Sequence, residues 1–223
     1  MKKKIWVEWI GLWGSGKSTC IMNYSDSLEI KDPKYSVTKD FLAKGRLKKL
    51  NNIFSSLDVL VTSLKLFIIL FPHFFKSYIT REKIIVDELR SFLACYLARI
   101  NSLNSSRDND ILWEGEMHLL PIFNLSNKEV YKIIGLLLGI NKEINYAVVV
   151  MKVDERTAFN RILRDIKKNK NMRFKEEHKF DFERLEKFNS NQNKLIDILR
   201  SYDVNIFESD GSINNLKKFI QSV

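Results

Sequence analysis

The segment that most constrains this chain is Gly11 to Ser18, which reads Gly-Leu-Trp-Gly-Ser-Gly-Lys-Ser and is followed by Thr19. This is the spacing of a phosphate-binding loop, in which backbone N–H groups surround an anion, a lysine reaches the outer phosphates and a serine meets Mg2+. A β-prone run at 5–10 and a helix-compatible run at 18–24 supply the flanking strand and helix. A nucleoside triphosphate is therefore the expected ligand. The predicted nucleotide-binding residues are Gly11, Trp13, Gly14, Ser15, Gly16, Lys17, Ser18 and Thr19.

Composition narrows the class of protein. A chain of 223 residues that is 45% hydrophobic can bury a full core, so one α/β domain over 1–223 is expected. The 37 basic and 27 acidic residues give a net charge of +10, which favours nucleotides, nucleic acid or an anionic membrane face as partners. With Cys20 and Cys95 as the two cysteines, the chain offers neither a disulfide framework nor zinc-ligand spacing, which fits a reducing, cytoplasmic compartment.

Five short apolar runs alternate with helical patterns along the chain. Such alternation predicts a doubly wound parallel sheet with helices on both faces, the P-loop NTPase fold. Helix starts are indicated at Ser126, which has a capping-box spacing to Glu129, and at Asp154. The predicted strands are 5–10, 35–38, 146–153 and 204–207, together with a short apolar strand within 110–116 that carries carboxylates at its carboxyl end. In the last long helix, the residues predicted to face inward are Phe182, Leu185, Phe188, Leu195 and Leu199.

The most apolar stretch is 57–75, which is predicted to be helical and to end or kink at Pro72. Between Lys65 and Lys76 there are 10 uncharged positions, too few for the roughly 20 that a membrane span needs. Two interpretations stay open: the stretch belongs to the core, or it docks on a membrane or a protein partner, with a homodimer and peripheral membrane contact both left open. The residues that share one helical face are Leu57, Leu60, Val61 and Leu64.

Carboxylates follow the third predicted strand. In open parallel sheets, ligands lie beyond the carboxyl ends of the strands, so Glu114 is expected to face the phosphate loop. Glu116 shares its side by alternation but lies beyond the strand, and a solvated strand end is the alternative for both. The helix after Asp154 carries Arg161 and Arg164, and the polar stretch beyond it contains Arg173. A solvated basic face is the alternative interpretation of that stretch.

With these residues in place, the chain resembles the thymidylate kinase branch of the nucleoside and nucleotide kinase group of P-loop proteins. Segment 113–115 is similar to its third-strand end, and 148–164 to its Asp-containing turn and Arg-bearing helix. Segment 182–188 is similar to the helix after its lid, and 209–212 to its adenine-side turn. The resemblance implies a lid at about 161–180 and a helical acceptor-side insertion at about 45–105.

Departures from the family pattern argue against thymidylate as the acceptor. The family carries an Asp inside the loop where this chain has Trp13, and an Arg where it has Gly115. The Thr-Arg-Glu pattern of its second strand is replaced by Val37 to Asp40. A glycine cannot replace the bidentate phosphate contact of an arginine. The resemblance then implies an ATP-dependent kinase acting on another small molecule, such as a nucleoside, a nucleotide or a sugar.

The implied roles follow the chemistry of phosphoryl transfer, in which the protein positions the reactants and neutralises charge. Lys17 and the loop amides hold phosphates, Ser18 ligates Mg2+ and Thr19 bonds the α-phosphate. Glu114 is either the base for the acceptor hydroxyl or a residue that holds Mg2+ through water. The lid candidates for closing on the transferred group are Arg161, Arg164 and Arg173.

The alternative function is a GTPase or regulatory nucleotide-binding protein. Its support is the run from Val148 to Asp154, which resembles the strand and Asn-Lys-x-Asp motif that reads guanine. Met151 occupies the Asn position, and a thioether cannot make amide contacts. A nucleic-acid role has weaker support, because aromatic residues do not interleave with the basic stretch.

Overall fold

A computed structural model of the chain describes residues 4–27, 57–80, 83–104, 111–113, 115–139, 144–168, 182–209 and 212–223. The strands in these ranges are β1 (Lys4–Gly11), β2 (Ile111–Trp113), β3 (Ile144–Met151) and β4 (Asn205–Ser209). The helices are α1 (Lys17–Ser27), α2 (Leu57–Ile79), α3 (Lys83–Asn104), α4 (Asn127–Gly139), α5 (Glu155–Lys167), α6 (Phe182–Ser201) and α7 (Ile213–Ser222). A 3-10 helix spans Met117–Ile122.

The described strands form one parallel sheet in the order β2-β1-β3-β4. β1 and β3 are central and pair along their whole length, from Lys4 beside Ile144 to Gly11 beside Met151. Parallel pairing brings the carboxyl ends of all four strands to one edge, where the loop after β1 lies. The parallel sheet expected from the sequence is therefore confirmed for four strands, and the strand predicted at 35–38 falls outside the described residues.

Helices cover both faces of the sheet, as the alternation along β1 requires. Ile5, Val7 and Trp9 point to one side, where they pack with α1 and α7. Ile10 points to the other side, into a larger cluster built from α2, α3, α4, α6 and the 3-10 helix. Of the residues predicted to face inward on α6, Leu185, Phe188, Leu195 and Leu199 are buried.

Phe182 is the exception among those predictions. It is 36% exposed and lies edge-on against Phe159 of α5, at 5.5 Å between ring centroids. It occupies the first residue of α6, before the helix reaches the core cluster that holds Leu185. The helical period alone could not locate that edge of the core.

Two helix starts have the expected side-chain caps. At the start of α4, the Ser126 amide donates to Glu129 Oε2 at 2.7 Å, and the Glu129 amide donates to Ser126 Oγ at 3.3 Å. This reciprocal pair is the predicted capping box. At the start of α5, Asp154 accepts from the amide of Thr157 at 2.8 Å. Both caps satisfy amides that have no partner within the helix.

Pro72 does not end α2, which corrects one of the two predicted outcomes. The helix continues seven residues further, to Ile79. Proline removes the hydrogen bond to the carbonyl four residues earlier, which belongs to Ile68. Both Pro72 and Ile68 lie on the exposed side of the helix, where solvent can satisfy that carbonyl. The lost bond is therefore tolerated.

The predicted apolar face of α2 is not the face that packs into the domain. Leu57, Val61 and Leu64 are 75%, 39% and 59% exposed, whereas Val59 and Leu66 are buried. The core interpretation of this stretch therefore holds for its inner face alone. At 23 residues, α2 is also long and apolar enough to cross a membrane by length and composition, so the expectation that the stretch is too short is corrected.

Candidate active site

The predicted phosphate loop turns between the end of β1 and the start of α1. Gly14 and Gly16 adopt positive φ angles of 76° and 90°, a region that costs other residues free energy. The turn is closed by a hydrogen bond from the Ser15 amide to the Leu12 carbonyl at 3.1 Å. Because α1 begins at Lys17, the positive end of its dipole and its first amides lie at the loop.

Lys17 is folded inward onto the loop. It is 5% exposed, and its ammonium donates to the carbonyls of Gly11 and Leu12 at 2.9 and 3.0 Å. The Ser15 hydroxyl is also buried and finds no hydrogen-bond partner among the described residues. A buried cation and an unsatisfied donor beside a helix N-terminus form a setting that fits an anionic group.

Ser18 and Thr19 occupy the first turn of α1, with Ser18 partly buried and Thr19 exposed. Among the described residues, no group of three or more His, Cys, Asp or Glu is placed to hold a metal ion by itself. In nucleotide sites Mg2+ is usually held by one or two protein oxygens together with phosphate oxygens and water, and Ser18 is placed to supply one such oxygen.

Two helices, α5 and α6, pack against the loop from one side. A side chain at Gly14 would place its Cβ 2.7 Å from the Ala158 carbonyl of α5, so the backbone there approaches as closely as glycine allows. Trp13 lies against Phe188 of α6, at 4.9 Å between ring centroids. Leu12 packs in the same cluster as Ala158 and Phe188. Trp13, predicted to touch nucleotide, thus lies against α6, the helix that follows the predicted lid.

Of the three predicted lid arginines, Arg161 is the one placed against the loop in the described part of the chain. Its Nη1 donates to the Gly14 carbonyl at 3.3 Å. Arg164 is exposed further along α5, and Arg173 lies outside the described residues. Contact with a loop carbonyl places the Arg161 guanidinium beside the loop, where it can pair with an anionic ligand.

Arg161 also lines a cleft of about 790 Å3 that opens beside the loop. The cleft is lined by Leu12 and Met151 and by Asn189 and Asn193 of α6. A cleft of this size is large enough for a nucleoside.

Glu114 lies outside the described residues, so its predicted role stays a prediction. Glu116, the weaker candidate, is completely buried and forms an ion pair with Arg99 of α3. The alternative of a solvated strand end is therefore wrong for Glu116. Its second oxygen, Oε2, and Arg99 Nε are buried without a hydrogen-bond partner among the described residues.

Glu8 is a buried acid that the sequence analysis did not identify as a candidate. It lies in the middle of β1 with no exposed surface. Its Oε1 accepts from the Met117 amide at 2.7 Å, and its Oε2 is hydrogen-bonded to the Tyr146 hydroxyl. The Arg99 guanidinium lies over the Tyr146 ring at 5.1 Å from its centroid. A charged residue inside an otherwise apolar strand was the available signal.

Burial, followed by the nearby Glu116 carboxylate, raises the pKa of Glu8 from 4.5 to about 8. Glu8 is then mostly neutral at pH 7, and the Arg99–Glu116 pair carries balanced charges. This network connects β1, the strand that leads into the loop, with β3, α3 and the 3-10 helix. It fixes the sheet behind the phosphate loop.

The residues that resemble a guanine-reading motif have other functions in the structure. Met151 is 6% exposed and packs in the cluster beneath α1 and α7. Lys152 pairs with Glu208 at 2.5 Å, and Asp154 caps α5. Met151 is therefore packed in the core, Lys152 is paired with a carboxylate and Asp154 serves as a helix cap.

The fold has recognisable relatives among solved structures, although no protein-family model and no curated protein sequence matches the chain. The chain is similar to deoxyadenosine kinase from M. mycoides with bound dCTP, with a TM-score of 0.53 and 16% identity, over 98% of this chain and 100% of that chain. The same enzyme with bound dATP gives a TM-score of 0.50 and 14% identity, over 98% and 97%. The chain therefore shares the fold of these deoxyadenosine kinase structures, and the thymidylate kinase branch stays a prediction.

The close contact between the loop and α5 predicts the effect of Gly14→Ala. The new methyl group meets the Ala158 carbonyl, and alanine disfavours the positive φ, so the free energy of unfolding should fall by about 1–3 kcal/mol. Stabilisation by nucleoside triphosphate should also be lost in a thermal-shift assay. Gly139→Ala, at a site with open space, is the control and should retain both properties. If Gly14→Ala kept both its stability and its response to nucleoside triphosphate, the close contact between the loop and α5 would be contradicted.

The raised pKa of Glu8 predicts how stability depends on pH. Between pH 4.5 and about 8 the folded state binds a proton that the unfolded state has lost, so stability should fall as pH rises, by at most about 1.4 kcal/mol per pH unit. Glu8→Gln should remove this slope in urea denaturation. Glu208→Gln is the control, because Lys152 lowers the pKa of Glu208 and its contribution therefore lies at lower pH. An unaltered slope in Glu8→Gln would assign the slope to another group.

Proposed function

We propose that this protein is an ATP-dependent kinase that transfers the γ-phosphoryl group to a small-molecule hydroxyl, with a nucleoside as the favoured acceptor. The observation that carries the proposal is a loop built to hold anions in a chain whose fold matches deoxyadenosine kinases almost from end to end. The donor nucleotide and the acceptor are the proposed partners. A nucleotide or sugar-like acceptor is the alternative within the same reaction class.

We propose that the acceptor is a nucleoside and not the nucleotide thymidylate. Trp13 replaces the acidic loop residue of thymidylate kinases and lies against Phe188, and Gly115 has no side chain to bind phosphate. The similar kinase structures contain a pyrimidine and a purine deoxynucleotide, dCTP and dATP. A panel of both classes of deoxynucleoside is therefore the first set of acceptors to test.

Binding of the donor requires the loop to accept three phosphates. Lys17 can exchange its carbonyl partners for phosphate oxygens. The ammonium would then make the same number of hydrogen bonds, but to acceptors that carry negative charge, and charge-assisted hydrogen bonds are stronger. Ser15 contributes a hydroxyl that has no described protein partner, and Thr19 at the first turn of α1 is available to the α-phosphate. The nucleoside part of the donor would lie in the cleft beside Leu12.

Mg2+, when bound, would neutralise charge on the bridged phosphates, and Ser18 is the residue proposed to hold it. Arg161 would turn from the Gly14 carbonyl to the transferred group and stabilise charge in the transition state. Arg164 and Arg173 complete the proposed lid. Glu114 is the proposed base for the acceptor hydroxyl, or the residue that orients metal-bound water.

The test is a phosphoryl-transfer assay with ATP, Mg2+ and a panel of deoxynucleosides, ribonucleosides, sugars and thymidylate. Lys17→Ala should lower kcat/KM by at least about 100-fold, because the buried cation that binds the phosphates is lost. Lys218→Ala, an exposed lysine on α7, is the control and should keep full activity. Transfer to thymidylate alone would overturn the proposed acceptor, and full activity of Lys17→Ala would overturn the site.

Arg161 and Arg164 form a matched pair, since both are exposed arginines on one helix and Arg161 is the one in contact with the loop. We expect Arg161→Ala to lower kcat by roughly 100-fold or more with a smaller change in KM, as for arginines that act on transferred phosphate. Arg164→Ala should change kcat by less than roughly fivefold. A larger loss of kcat in Arg164→Ala than in Arg161→Ala would assign the catalytic role to Arg164.

A further inference from the structure

The outward face of α2 carries a regular row of exposed apolar side chains, which we call the outer seam. Each member is between 39% and 75% exposed. Their spacing alternates strictly between four and three residues along the helix. The outer seam consists of Leu57, Val61, Leu64, Ile68, Phe71, Phe75 and Tyr78.

An alternating spacing of four and three gives a period of 3.5, which is the pattern that packs one helix against another. Two of the positions that begin a three-residue step carry the β-branched Val61 and Ile68, and Leu57 and Leu64 begin four-residue steps. In heptad terms these are a and d positions, the apolar positions through which paired helices pack. A membrane surface requires an apolar face but not this regular register.

The inner face of α2 is already occupied, so the outer seam is a second apolar face. Val59, Leu66 and Leu70 pack in the core, and Ser63 is hydrogen-bonded to Tyr96 of α3 at 2.9 Å. His73 contacts Glu129 of α4 at 3.0 Å. These contacts fix the inner side of α2 to the domain and turn the outer seam to solvent.

The exposed surface is large enough for a stable contact between two copies. A large apolar side chain has about 150–250 Å2 of surface, and roughly half of that surface is exposed in these residues. The outer seam together with Phe67 and Ile79 therefore offers on the order of 900 Å2 of apolar surface. A standard interface buries about 800 Å2 per partner. Phe67, Phe71 and Phe75 also stack along the helix, at 5.1 and 6.0 Å between centroids, which lowers the entropy lost on binding.

The charges beside the outer seam favour an antiparallel pair of α2 helices. At 100° per residue, Asp58, Lys65 and Lys76 lie on one flank between the inner face and the outer seam. In an antiparallel two-fold pair this flank meets the same flank of the second copy. The end that carries Asp58 then lies beside the end that carries Lys76, and opposite charges are brought together.

We propose that the outer seam binds a second copy of this chain, with the two α2 helices antiparallel about a two-fold axis near Ile68. The surface is self-complementary in apolar register and in charge. The inference stands apart from the proposed kinase activity, because neither the phosphate loop nor the cleft contributes to it.

The first test measures the mass of the full chain, purified without detergent, by light scattering and sedimentation. The wild-type protein should be a dimer, and the pair Ile68→Glu with Phe71→Glu should be a folded monomer that keeps its far-UV dichroism. Met22→Glu changes an apolar residue that is 54% exposed on the other side of the sheet and should remain dimeric. A wild-type monomer, or a monomer that binds anionic vesicles through this face, would overturn the proposal.

A cross-linking test fixes the orientation. Ile68→Cys places thiols near the two-fold axis, so mild oxidation should join two chains through one disulfide. Leu57→Cys is the matched control, because its thiols would lie about 33 Å apart in an antiparallel pair and should stay reduced. Cross-linking of both variants would indicate a parallel pair and overturn the proposed geometry, as would cross-linking of neither.

Discussion

The close approach of the phosphate loop to α5 is the contact on which the site depends. Gly14 leaves no room for a side chain before the Ala158 carbonyl, and this places Arg161, one turn further along α5, within reach of the same loop. The glycine is therefore required twice: its positive φ shapes the anion site, and its missing Cβ allows the arginine-bearing helix to approach. The backbone conformation of Gly14 and the position of the Arg161 guanidinium therefore depend on the same residue.

A second constraint lies behind the loop, inside the sheet. Glu8 and the Arg99–Glu116 pair place polar groups where an apolar core would be easier to build. Their hydrogen bonds and ring contacts connect β1 to β3, α3 and the 3-10 helix, so the strand that carries the loop is held from several sides. Burial and the nearby Glu116 carboxylate raise the pKa of Glu8, which favours the uncharged form of this acid beside the ion pair.

α2 illustrates how local pattern and packing differ. Its sequence is apolar on two opposite faces, and helical period alone cannot say which face the domain uses. The face predicted from Leu57, Leu60, Val61 and Leu64 turned out to be largely exposed, while Val59 and Leu66 pack against α3 and α4. The choice is made by complementarity with other helices, which is a property of the assembled domain. The same is true of Phe182 at the edge of α6.

The sequence by itself determined the loop, the positions of four strands along the chain and the caps of α4 and α5, because each follows from residues that are neighbours along the chain. Tertiary structure decided that Arg161 reaches the loop, that Glu116 is buried in an ion pair and that Glu8 is a buried acid with a raised pKa. These outcomes depend on contacts between different elements, from 17 residues apart for Arg99 with Glu116 to 147 residues apart for Arg161 with Gly14. Local periodicity carries no information about partners at that separation, since only packing of the whole sheet brings them together.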